Sequence, residues 1–131
     1  MPVVNRDEFV PFLRDLLVAV LREGATPQSV SDALVAAGID EDRIDFLQGE
    51  EGLRILNPEG THGSVKERMI RKAEHFTAER RILELSAAYL RTGRTLVTIH
   101  EVSDVEAVRL MCREAEFGIE DSQYASGVKV A

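Results

Sequence analysis

Tryptophan is absent from this 131-residue chain, cysteine occurs once, and the aromatic set is five phenylalanines and two tyrosines. Each scarcity removes a class of function. Too few aromatics remain for a platform on which the bases of a single-stranded nucleic acid would stack. The single cysteine, Cys112, excludes an internal disulfide, and without a second there is no Cys-x-x-Cys pair for zinc or redox work. No apolar run reaches the roughly 18 residues that a membrane-spanning helix needs. Repeats, low-complexity tracts and linkers are missing too. One domain is therefore expected, with residues 1–14 as an N-terminal arm and 15–131 as the folded unit. The opening "MPVVNRDEF" has an acidic pair where a secretory leader would be apolar, so the expected setting is the cytoplasm of a bacterium-like cell.

Positive charge is also scarce. The formal net charge of −7 argues against general nucleic-acid binding. The distribution is uneven: His62 to Arg94 carries a net +4, with eight Lys/Arg against four Asp/Glu, and the rest carries −11. A basic helical segment thus sits in an acidic protein, as a solvated face with internal pairing, an anion site, or an interface with an acidic surface.

What is there is a run of short elements. "LLVAVL", Leu16–Leu21, is a continuous apolar stretch of strand length, while Phe9 to Val20 also carries helical spacing; an arm over 7–14 and a buried strand at 16–22 are expected. Thr26 and Pro27 suit a helix start, with Val30, Ala33, Leu34 and Ala37 on one stripe and Gly38 as its stop. "RIDFLQ" alternates and predicts a strand at 43–48. A connection of about fourteen residues should lead to a long helix over 63–92, its buried side formed by Val65, Met69, Ala73, Phe76, Leu83, Ala87 and Leu90, allowing a break near Thr77. "RTLVTIHEV" reads as a strand. "SDVEAVRLMCREAEFG" reads as a helix with a Ser103–Glu106 capping box and a buried stripe of Val105, Val108, Leu110, Met111 and Cys112. A last strand is expected in "SQYASGVKV".

This order predicts an α+β fold: a ferredoxin-like split βαβ sandwich, with a four-stranded antiparallel sheet and an extra long central helix. Helices on one face would leave the other open, to be covered by the long helix or by a second subunit.

The stretch from Leu16 to Gly52 also resembles the opening of small bacterial proteins related to the general (heat-induced) stress protein family. The resemblance covers about 16–130. It rests on the apolar strand, a helix ending in Ala-Gly-hydrophobic, the acidic turn Asp40–Asp42 into "RIDFLQGEEG", His62-Gly63 before a long helix, and Tyr89 late in it. It implies a ferredoxin-like domain, often dimeric, with no established chemistry. The chain departs from the pattern in its arm and in "LREGA".

The candidate site is "THGSVKER", where free N–H groups at a helix start would attract an anion. Thr61, His62, Gly63, Ser64, Lys66 and Arg68, with Arg54 from the loop and Tyr89 closing a pocket, are its expected ligand-binding residues. The Walker pattern is not met. Capping by Thr61 or Ser64, with the glycines making turns, explains the same residues without a ligand. His75 and Glu79 are spaced for a metal but lack further ligands, Cys112 is expected to be a core thiol, and His100 a sheet-surface or interface residue. No catalytic set, metal or cofactor is expected. The reading is a non-catalytic stress-associated or regulatory binding domain, paired with itself. Its alternatives are a small-anion or nucleotide sensor at Thr61–Arg68, and a small dimeric α/β-barrel enzyme using His62 or Glu51 as base.

Overall fold

Leu16–Leu21 form β1, and all six residues are buried. Successive side chains of a strand point to opposite faces, so a strand apolar at every position needs cover on both sides. The computed structural model describes residues 4–5, 15–56 and 77–125, with the backbone alone for 77–80. Around β1 it places α1 (Pro27–Ala36), β2 (Ile44–Leu47), α2 (Gly49–Leu56), α3 (Thr77–Arg91), β3 (Leu96–Ile99), α4 (Asp104–Met111) and β4 (Ile119–Ala125).

The sheet order is β2-β3-β1-β4 and every neighbouring pair is antiparallel. β1 is central, with Leu17 opposite Ile99 on one side and Tyr124 on the other. This is the expected ferredoxin-like split βαβ arrangement, α+β, with α2 and α3 inserted between β2 and β3 where a hairpin would suffice.

Two apolar layers result. On one face Leu17, Ala19 and Leu21 join Ile44, Phe46, Val97 and Ile99 beneath α1 and α4. On the other, Leu16, Val18, Val20, Leu47 and Leu96 meet Ile55 and Leu56 of α2 and Ile82, Leu83, Ala87 and Leu90 of α3. The expected central helix thus covers the second face from within the chain, and that face needs no second subunit. The predicted buried residues Leu83, Ala87 and Leu90 are in place; Val65, Met69, Ala73 and Phe76 lie outside the described residues.

The helix starts follow local chemistry. Thr26 Oγ1 accepts from Ser29 N and Ser29 Oγ in turn accepts from Thr26 N, with Pro27 at the first turn. Ser103 Oγ accepts from Glu106 N at 3.1 Å. The reciprocal half of that expected capping box is replaced: the Glu106 carboxylate pairs with Arg43 at 2.5 Å instead. Gly93 and Gly118, both at positive φ, end α3 and the 3-10 turn Glu114–Phe117.

Three expectations need correction. Gly49–Leu56 is a helix, not a loop: Glu50 and Glu51 suit its positive end, Arg54 its negative end, and Ile55 and Leu56 are buried. The helix after Ser103 stops at Met111, and the chain curls through the 3-10 turn before β4 begins at Ile119, earlier than Ser122. Its buried side is Ala107 and Leu110, whereas Val105 and Val108 are 81% and 63% exposed and Cys112 is exposed. The Arg43–Glu106 pair and the Ser103 cap set the rotation of α4, and small Ala107, not a valine, meets the sheet.

At the β2 edge, Asn5 N donates to Phe46 O at 2.7 Å, and the Asn5 side chain exchanges bonds with the backbone of Gln48. Gly52 lies beneath this contact. A Cβ there would come within 3.0 Å of Asn5 Oδ1 and 3.1 Å of the Leu47 carbonyl carbon. Gly52→Ala should therefore destabilise the fold by roughly 1–3 kcal/mol, read by urea unfolding. An unchanged midpoint would show that the arm contact is loose.

Candidate functional site

Most of the predicted anion site, Thr61, His62, Gly63, Ser64, Lys66 and Arg68, lies outside the described residues, as do His75 and the Asn57-Pro58 turn. Arg54 and Tyr89 are described. Arg54 stands on α2, half exposed, and its guanidinium grips the Glu51 carboxylate one turn earlier. Glu51 is equally exposed, and its carboxylate is held in that ion pair. Tyr89 packs partly buried against the α2–α3 layer. Its carbonyl accepts from Thr92 Oγ1 and from the Thr92 and Arg94 amides, closing the end of α3. Tyr89, Ser86, Val18 and Gln123 help line a crevice between α3, β1 and β4 of about 10 Å³, room for about one water molecule and not for a metabolite.

The geometry gathers polar groups elsewhere, at the two ends of the sheet. At one end Arg94 Nη2 donates to Leu21 O at 2.7 Å and to Glu120 at 2.8 Å, and the guanidinium lies 5.8 Å from the Tyr89 ring centre. The hydrogen bond from Arg94 holds the Glu120 carboxyl below its ordinary range and in turn raises the Arg94 guanidinium. α3, β1 and β4 are clamped together by one side chain.

At the other end Arg43 Nε donates to His100 O at 2.9 Å and Nη2 to Glu101 O at 3.0 Å, besides gripping Glu106. Beside it, Asp45 Oδ2 lies 2.6 Å from His100 Nε2. Asp45 is opposite Thr98 in the β2–β3 register, so His100, two residues on, is its diagonal neighbour. Asp45 is buried and His100 half-buried. The alternation of Arg43, Asp45 and Leu47 against Ile44 and Phe46 is the predicted one. Its second face is not solvent but the α2–α3 side of the sheet, and a carboxylate there takes a histidine. The sequence signal for this pair was the i, i+2 polar positions in two predicted strands, Arg43 and Asp45 in one and Thr98 and His100 in the other.

Tyr124, also overlooked in the sequence, donates its hydroxyl to Val102 O at 2.6 Å. Burial, with Asp104 beside it, pushes the phenol from 10.0 up to about 12. Among the described residues no group of three or more His, Cys, Asp or Glu is placed to hold a metal ion. No described helix is long and apolar enough to cross a membrane. No family model, curated protein or solved structure matches the chain.

Two outcomes follow from these ties. Asp45→Asn keeps the shape but takes the carboxyl oxygen away from His100 Nε2, and should cost roughly 1–3 kcal/mol in chemical unfolding; a neutral result would mean the pair holds nothing. In ultraviolet titration of the folded protein, Tyr124 should ionise near pH 12, an absorbance step that Tyr124→Phe removes. Because the folded phenol is raised, its contribution to stability is complete below pH 10.0 and is lost as pH climbs towards about 12.

Proposed function

We propose that this chain is a non-catalytic binding domain that works as a homodimer, of the stress-associated or regulatory kind that its layout resembles. The observation that carries the reading is the outward face of α4, where Val105 and Val108 stand 81% and 63% exposed while the other large apolar side chains among the described residues are mostly buried. An apolar face so presented supports the reading of an interaction surface. Supporting it, the polar side chains gathered within the described residues tie element ends together: Arg43, Arg94, Tyr124 and the Asp45–His100 pair each bridge two or more elements.

Burying an exposed valine returns roughly 1.5–2 kcal/mol, so the four valines of two copies offer about 6–8 kcal/mol. Association costs roughly 4–15 kcal/mol in lost freedom. The dimer should therefore be weak and concentration-dependent. Sedimentation equilibrium over roughly 5–200 µM should show the mean mass rising from monomer towards dimer. A constant monomer mass over that range would refute self-association.

A further inference from the structure

The arrangement of charge on α4 says more than that an apolar face exists. Val105, Val108 and Cys112 follow one another at spacings of three and four, the rhythm of one heptad, and all three are exposed. Cys112 keeps a right-handed helical backbone at the end of α4, so its side chain continues the stripe set by the two valines. The opposite side of the helix, Ala107 and Leu110, is buried against the chain's own core. Flanking the stripe are Asp104 on one side and Arg109 on the other, five residues apart and both exposed.

That flanking pair distinguishes between pairings. When two such helices pack side by side in parallel, the residue before the first stripe position of one meets the residue five further along on the other. Asp104 of each copy then faces Arg109 of the other, twice across a two-fold axis. An antiparallel pairing centred on Val108 sets Arg109 against Arg109, which repels. Arg109 reaches its own Glu106 only at 3.7 Å, beyond hydrogen-bond length. Asp104 lies beside the Tyr124 hydroxyl, which already donates to Val102 O.

We propose that two copies of this chain pair through the outward face of α4, helices parallel, with Val105, Val108 and Cys112 in the contact and Asp104 of each copy bonded to Arg109 of the other. The proposal rests on the homodimeric reading above and names its surface, direction and charge code. Parallel pairing also brings the two Cys112 residues into one layer, near the roughly 4.4–6.8 Å Cα separation that a disulfide spans. Cys112 therefore reports on the pairing. Diamide, accepting two hydrogen atoms from two thiols, should join wild-type chains into a covalent dimer.

The test is a set of exposed-site variants followed by sedimentation equilibrium, with circular dichroism melts in dilute solution as the control for folding. Val105→Glu combined with Val108→Glu should leave a folded monomer that diamide no longer crosslinks at the wild-type rate. Asp104→Arg alone and Arg109→Asp alone should each weaken the dimer at least about threefold, and the two together should restore it. A dimer that survives the valine double variant, or a charge swap that fails to recover, overturns this pairing and leaves the homodimer standing on another surface. A monomeric wild type overturns both.

Discussion

The structure depends on a strand that has no polar side. With β1 apolar at every position, the sheet needs cover on both faces, and helices supply it. The rest of the chain divides accordingly: α1 and α4 cover one face, α2 and α3 the other. The split βαβ frame supplies the first pair of helices as its ordinary crossovers. The second pair must be added, and it enters between β2 and β3, the one junction of the frame that carries no crossover helix.

The same division explains where the polar side chains go. A sheet closed on both faces exposes its backbone mainly at strand ends and edges. Arg94 and Arg43 sit at opposite ends and donate to carbonyls there, that of Leu21 at one end and those of His100 and Glu101 at the other. The edge of β2 is met by Asn5, whose backbone and side chain supply the missing partners. Arginine suits the strand ends because its fork serves several acceptors at once.

Much of this was legible beforehand because hydrophobic period and capping chemistry act locally. "LLVAVL", the Thr26–Pro27 start, the alternation through Ile44 and Phe46, and the Gly93 stop each carry their own physical reason, and the fold class follows from their order. What was not legible depended on contacts distant in sequence. "GEEGLRIL" reads as a glycine-rich connection until α3 is there to receive Ile55 and Leu56. Val105 and Val108 read as core because a valine stripe usually is; the rotation of α4 is set by Arg43, about sixty residues away. The Asp45–His100 pair required the β2–β3 register. Of the candidate anion site only Arg54 and Tyr89 are described; the one pairs with Glu51 one turn earlier on α2 and the other closes the end of α3.

The insertion of α2 and α3 between two neighbouring strands has a kinetic consequence. β2 and β3 lie side by side, yet nearly fifty residues of chain separate them, so their pairing cannot nucleate as a local hairpin does. β1 has no nearer partner, since both β3 and β4 are late in the chain. Every ladder of this sheet therefore closes a long loop, and the first half of the chain must wait for the second. A nascent chain released at Leu56 would hold β1 with neither of its strand neighbours, its apolar faces open to whatever it meets first.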